Sequence, residues 1–185
     1  PARKKALAYV EGLAFASGPS SYRGVIDDGH YWDTLLVAQA VDRAGAPLAA
    51  VKPALDHLVA AVTPAGGLPF GFDFEADVDD TAELLIDLAP HIADDPHYAE
   101  TVTRAAAWLR SMQNRDGGWG AFDRDNNREF LCRVPFADHN AMLDPSTPDL
   151  TARVMEAFAR LGRTVGDTTI DRAVRYMRRS QEEDG

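Results

Sequence analysis

The chain has 185 residues, a length that favours a single domain able to bury a sizeable hydrophobic core. Its net charge of −10 argues against a nucleic-acid partner, because phosphate binding needs clustered Lys and Arg. Cys132 is the single cysteine, which excludes an intrachain disulfide, and no run of about 18 apolar residues predicts a membrane-spanning helix.

Three pairs of helices are predicted along the chain. The first helix of each pair begins where an acidic residue stands close to a Thr, and these starting points are Asp33, Asp80 and Asp149. Apolar residues follow each start at helical spacing. The second helices are predicted over 49–62, 98–113 and 169–181, and each runs into a glycine turn.

The repetition of these pairs predicts the fold class. Because the first helix of each pair is the more apolar, we place it inside and the amphipathic second helix outside. No segment shows a convincing period-2 strand pattern. The prediction is therefore an all-α protein, in which helix pairs stack into a solenoid or close into an α/α toroid (barrel) that this chain covers only in part.

Two long connections carry the unusual residues. The first covers 66–76 and the second 117–148, and both lead from an outer helix into the next inner helix, so they should gather at one end of the stack. Loops of this length are often functional. They hold Phe70, Phe72, Phe74, Trp119, Phe122, Phe130, Phe136, His139 and Asp144.

Four carboxylates are crowded into the string FDFEADVDDTA, which ends at Ala82. They are Asp73, Asp77, Asp79 and Asp80. Ionised carboxylates repel one another, so at least one should hold its proton near neutral pH and could serve as an acid. The alternative is an acidic helix N-terminus, where Asp is also favoured and where Asp79 or Asp80 would cap the helix. The residues alone leave both open and do not identify the protonated Asp.

A second motif surrounds the glycine turn at Gly117 and Gly118. Gln113 ends the preceding helix and can satisfy free backbone groups of the turn, while Trp119 can pack back over it. We interpret this combination as a structural clasp without a catalytic role.

Three strings in this order resemble the squalene–hopene cyclase family of class II terpene cyclases, from about Tyr31 to the end. They are DVDDTA, QNRDGGWGAFD, which is similar to the family's QW repeat, and VPFADHNAMLDPSTPDLTARV. The resemblance implies an α/α-barrel domain. It also implies cyclisation of squalene to hopene or hopanol, started by protonating a terminal double bond, with no metal or organic cofactor.

The resemblance also implies roles for individual residues. Asp79 matches the family's proton donor, with Asp77 and Asp80 as supporting carboxylates. Asp149 and Arg153 match the polar pair that assists the donor, although many members have His at the second position. The substrate-binding positions would be Trp32, Phe70, Phe72, Phe122, Phe136 and Asp144, and many members have Tyr where Phe122 stands.

One departure from the family pattern concerns the first glycine turn, at Gly66 and Gly67. Both the Gln and the Trp of the clasp are absent there, and the links over 62–66 and 73–77 are shorter than usual. We expect product identity to be the first property affected.

The expected context follows from the same resemblance. Residues 1–185 would form part of one α/α-barrel catalytic domain of a longer cyclase, inactive by itself. Its partners would be squalene or a related polyprenyl hydrocarbon and a membrane surface, on the cytoplasmic side of a bacterial membrane, with a homodimer left open.

Four other interpretations compete with this one. The string Asp79 to Glu83 could be an acidic box that binds Mg²⁺ and a diphosphate, but a second metal box is missing. The five histidines show no spacing typical of a zinc site. A class II diterpene cyclase acting on a prenyl diphosphate and a helical-repeat binding scaffold without catalysis also remain as alternatives.

Overall fold

A computed structural model describes the backbone of residues 14–18, 21–24 and 30, together with residues 31–71, 74–126 and 143–183 in full. Six α-helices lie in these parts of the chain. They are α1 (His30–Arg43), α2 (Leu48–Ala61), α3 (Val78–Leu88, continued by a short 3-10 turn Ala89–His91), α4 (Pro96–Met112), α5 (Pro148–Arg160) and α6 (Thr168–Ser180).

The predicted helix pairs are confirmed, and the second helices end within one residue of the predicted limits.

Four short strands were not predicted. Strands β1 (Ala14–Gly18) and β2 (Ser21–Gly24) pair antiparallel, as do β3 (Leu68–Pro69) and β4 (Ala76–Asp77). Strands of two residues have no periodicity to detect, and β1 and β2 contain mostly small or polar residues.

The helices form two layers around α3. The inner layer contains α1, α3 and α5, with α3 packed between the other two. The outer helices α2, α4 and α6 each pack on the inner helix that precedes them. Every residue of α3 except Asp79 is buried, as predicted for an inner helix. Helix α1 departs from this pattern because Leu36 and Val37 are exposed.

The glycine turns after α2 and α4 share one geometry. Gly66 and Gly117 have φ values of +108° and +100°, which favour glycine. In the first turn, the backbone N–H of Thr63 donates a hydrogen bond of 2.9 Å to the carbonyl of Gly67. In the second turn, the N–H of Asn114 donates to the carbonyl of Gly118 at the same distance. A Cβ on Gly117 would lie 2.5 Å from the carbonyl oxygen of Arg172, so a side chain would separate the turn from α6.

The predicted clasp is confirmed at the second turn. The Gln113 side chain donates to the carbonyls of Gly117 (2.9 Å) and Thr169 (3.0 Å), the latter in the first turn of α6. The fully buried Trp119 ring donates its N–H to the Leu109 carbonyl at 2.7 Å. The clasp therefore joins α4 to α6 and gives a partner to the Leu109 carbonyl, one of the last four carbonyls of α4.

Each glycine turn is also tied to the start of the next inner helix by a threonine. Thr81 accepts from the N–H of Leu68 at 2.8 Å, and Thr151 accepts from the N–H of Trp119 at 3.2 Å. The N-termini of α3 and α5 are thereby brought to the same end of the stack as the turns. No helix in the described residues is long and apolar enough to cross a membrane.

Candidate functional site

The carboxylate cluster is organised by the N-terminus of α3. The predicted cap, Asp79 or Asp80, is wrong: Asp77 caps the helix, because its side chain accepts the N–H of Asp80 at 2.7 Å. Both residues are almost entirely buried, with 3% and 2% of their surface exposed. The motif is therefore both a crowded acidic group and an acidic helix N-terminus, because Asp77 is the helix cap and also a member of the group.

One proton is retained within this pair. Burial is the main cause that raises the pKa of Asp80 to about 9, and its hydrogen bond with Asp77 and the charges of Asp77 and Asp79 act in the same direction. Burial also raises the pKa of Asp77, but hydrogen bonds from Asp80 oppose that change. Burial and the negative charges of its neighbours thus favour the protonated form of Asp80, whose side chain is almost entirely enclosed by the protein.

The retained proton predicts that stability depends on pH. The folded state binds a proton at Asp80 that the unfolded state releases near the ordinary pKa of 3.8. Proton binding thus favours folding at low pH, and this contribution is lost as the pH rises towards 9. We expect a loss of about 1 kcal/mol per pH unit within this range.

The measurement is the thermal midpoint of the full-length protein between pH 5 and 9, compared with Asp80→Asn. Asn is neutral throughout this range and can still donate to Asp77, so the variant should have the flatter profile. Parallel profiles for the two proteins would contradict a buried neutral Asp80.

Asp79 is the member of the cluster that a substrate could contact. Its side chain is 32% exposed and faces α5. Burial raises the pKa of Asp79, while the positive charge of Arg153 acts in the opposite direction. The negative charges of Asp77, Glu83 and Asp149 add to the effect of burial. Asp79 is thus an accessible carboxyl with a raised pKa.

Arg153 lies on α5 opposite the cluster. Its Nη1 donates to Glu83 Oε2 at 2.6 Å, and its Nε is 2.5 Å from Asp79 Oδ1. The guanidinium also stacks over the Trp32 ring of α1, 5.0 Å from the ring centroid. Three residues predicted from distant parts of the sequence, namely Trp32, Asp79 and Arg153, are therefore brought together by three inner helices.

Asp149 lies in the first turn of α5 and is exposed. The adjacent Thr147 side chain is the main cause of the lowered pKa of Asp149, with backbone hydrogen bonds acting in the same direction. Its negative charge contributes to the raised pKa of Asp79. Asp149 thus acts on the cluster through charge, while the close contacts of Arg153 are with Asp79 and Glu83.

The remaining predicted positions lie around the two connections. Phe70 is half-buried and meets Phe74 edge-on, with 5.8 Å between ring centroids. Phe122 is 49% exposed. Asp144 accepts three backbone N–H groups, from Ala121 to Asp123, at 2.5–2.8 Å. The contacts of Asp144 therefore hold the loop that carries Phe122. Predicted residues outside the described parts are Phe72, Asp73, Phe130, Phe136, His139 and Gly185.

Glu83 is the residue of the site that sequence reasoning missed. It was considered only as the end of a metal-binding box, yet it is 3% exposed and lies one helical turn beyond Asp79. Its Oε1 accepts from the Gln39 side chain of α1, and its Oε2 accepts from Arg153. The available signal was an acidic residue within an otherwise apolar stretch of an inner helix.

Further buried polar residues lie along α3 and the turn after it, beyond Glu83. Burial is the main cause that raises the pKa of Asp87 to about 7, with the charge of Glu83 acting in the same direction. The His91 ring contacts Asp42 at 3.2 Å and Asp94 at 3.3 Å. Within the parts that the structure describes, no three His, Cys, Asp or Glu side chains converge on a possible metal position.

Comparison with known proteins gives a consistent picture. The family model of the squalene-hopene cyclase C-terminal domain matches residues 30–185. The chain is 45% identical over 116 residues to a squalene-hopene cyclase of Schizosaccharomyces japonicus, covering 63% of this chain and 17% of that protein. It is 42% identical over 125 residues to a squalene-hopene cyclase of Zymomonas mobilis, covering 65% of this chain and 19% of that protein.

A longer alignment is found with a squalene-tetrahymanol cyclase of Tetrahymena thermophila. It is 32% identical over 192 residues and covers 96% of this chain but 29% of that protein. The chain therefore spans less than a third of the length of each of these three relatives.

Proposed function

The chain belongs to the squalene-hopene cyclase family, and we propose that the full-length protein cyclises squalene to a pentacyclic triterpene of the hopene or hopanol type. The observation that carries this proposal is Asp79, an accessible carboxyl with a raised pKa between a buried proton-sharing pair and Arg153. A carboxylic acid of this kind can begin a cyclisation by protonation.

The chemical requirement for the acid is strict because an alkene is a very weak base. In the first step, the O–H bond of Asp79 breaks as the π electrons of the terminal double bond form a new C–H bond. A tertiary carbocation and the Asp79 carboxylate remain. The Arg153 Nε, 2.5 Å from Asp79 Oδ1, is suited to stabilise the carboxylate as its charge develops.

Aromatic side chains suit the next stage because they stabilise a cation without attacking it. Each cation–π contact contributes about 0.5–2 kcal/mol. Trp32, Phe70 and Phe122 are the described candidates, and Phe72 and Phe136 are those outside the described residues. Exclusion of water would prevent early quenching of the carbocation. Asp144 would contribute by holding the loop of Phe122.

The wider setting is part of the same proposal. Residues 1–185 would belong to one α/α-barrel catalytic domain, completed by other parts of the full-length protein. Its substrate would be squalene or a related polyprenyl hydrocarbon, taken up at a membrane surface. The cytoplasmic face of a bacterial membrane is one such location, although eukaryotic relatives exist too. A homodimer is compatible with this setting.

The direct test is incubation of the full-length protein with squalene, followed by mass spectrometry of the extracted lipids. We expect a cyclic isomer of squalene or its hydrated product, since protonation and ring closure add no atoms except those of a terminating water. A parallel incubation with geranylgeranyl diphosphate is the control. Conversion of the diphosphate and not of squalene would contradict the proposal and favour a diterpene cyclase.

A further inference from the structure

The two carboxylates beside Arg153 are held differently. Glu83 has a side chain only 4% exposed, and both of its oxygens accept hydrogen bonds, from Gln39 and from Arg153. Asp79 has a side chain 32% exposed. Its Oδ1 is 2.5 Å from Arg153 Nε, but neither atom has an aligned hydrogen bond. Arg153 is therefore hydrogen-bonded to Glu83, whereas its contact with Asp79 is an ion pair without an aligned hydrogen bond.

The number of charges leads to the same assignment. Arg153 supplies one positive charge for two neighbouring carboxylates. An ionised carboxylate that is fully buried is costly unless it is paired and hydrogen-bonded, and Glu83 has both forms of compensation. If Arg153 and Glu83 neutralise each other, Asp79 has no complete counter-ion. Its remaining charged neighbours, Asp77 and Asp149, are negative and favour a protonated Asp79.

We propose that Glu83 is a positioning residue for the acid: it holds and neutralises Arg153, so that Arg153 contacts Asp79 without ionising it. The inference rests on the proposed function for its catalytic consequence. Glu83 itself does not touch the substrate in this scheme. It acts through Arg153, which stays in place to stabilise the Asp79 carboxylate once the proton has left.

The consequence is that Arg153 and Glu83 form one unit. An arginine without Glu83 would pair with Asp79 and lower its pKa, and an ionised Asp79 has no proton to donate. Glu83 without arginine would leave a buried carboxylate without its cation. Removing both charges together should therefore do less damage than removing either one.

The surroundings of this unit identify the groups that share its titration. Helix α3 contributes the carboxyl groups of Asp80 and Asp87, its cap contributes Asp77, and α5 contributes Asp149. Helix α1 contributes the neutral Gln39 and, towards its far end, Asp42 and Arg43, whose charges act on Asp87.

The experiment is a double-mutant cycle in the full-length protein with squalene as substrate. Glu83→Gln should lower the rate at neutral pH by about tenfold or more, and its basic pH limb should shift down by about one unit. Glu83→Gln combined with Arg153→Gln, which removes both charges, should recover much of the lost rate. Glu156→Gln, which breaks the exposed Glu156–Arg160 pair of α5 (3.1 Å), is the matched control and should change neither quantity.

Two results would overturn the inference. One is a Glu83→Gln variant whose rate falls without any movement of the pH limb, as expected from a purely structural defect. The other is a double variant whose loss equals the product of the two single losses, because such independence excludes a common unit.

A measurement without substrate separates this inference from the proposed function. The thermal midpoint is measured against pH for the wild-type protein and for the Glu83→Gln variant, each with and without Asp79→Asn. The difference that Asp79→Asn makes to each profile reports the pKa of Asp79 in that protein. A lower Asp79 pKa in the variant supports the inference even if squalene is not converted. An unchanged Asp79 pKa contradicts it whatever the activity.

Discussion

Asp79→Asn in the full-length protein is expected to reduce the rate of squalene conversion by about a thousandfold or more. General acids usually contribute about a hundredfold to ten-thousandfold to a reaction rate. Asn has nearly the same shape but carries no acidic proton. Asp80 cannot replace it, because Asp80 is 2% exposed and bonded to Asp77. The rate of product formation, followed by gas chromatography, is the quantity to compare.

The control for this experiment is Asp171→Asn on the outer helix α6. Asp171 accepts the N–H of Gly166 at 2.9 Å, and the Asn carbonyl can do the same, so activity and stability should stay close to wild type. A thermal midpoint of the Asp79 variant near the wild-type value would show that it is folded. Near-wild-type turnover by that variant would refute Asp79 as the donor.

Trp119→Ala is expected to destabilise the protein by about 3–5 kcal/mol, the range for truncating a large buried aromatic residue. The ring is fully buried in the turn after α4, and its N–H satisfies the Leu109 carbonyl at 2.7 Å. The substitution would leave both a cavity and an unpaired carbonyl. The expected result is a clearly lower thermal midpoint with an unchanged distribution of products.

Trp119→Phe separates the two parts of this effect. It keeps most of the ring but removes the N–H, so we expect a smaller loss of about 1–2 kcal/mol. A new product from Trp119→Ala at an unchanged midpoint would contradict the structural role of the clasp. It would indicate instead that Trp119 shapes the substrate cavity.

The helical architecture could be predicted because its signals are local. Apolar residues at helical spacing, acidic residues at helix starts and glycines after helix ends are properties of short segments. The same locality explains the clasp, since Gln113 and Trp119 are only six residues apart and their partners Gly117 and Leu109 are nearby. Strand pairing between two-residue segments lacks such a signal, and β3 and β4 were missed.

The sequence predicted which residues belong to the site better than it predicted their burial and contacts. The motif identified Asp77, Asp79 and Asp80 as a group, but proton retention by Asp80 depends on its near-complete burial. Arg153 was expected to assist Asp79 together with Asp149, four residues before it in α5. Its contact with Glu83 was not predicted, and it forms because helix packing brings both Asp79 and Glu83 against α5.

The amino-acid sequence by itself determined the helix pairs, the acidic group at the start of α3 and the glycine turns, since each depends on residues a few positions apart. Tertiary structure decided which carboxyl is buried, which one is accessible, and that Glu83 shares Arg153 with Asp79. These properties depend on desolvation and on charges from α1, α3 and α5. Such charges interact strongly only after the helices have packed together and excluded water between them.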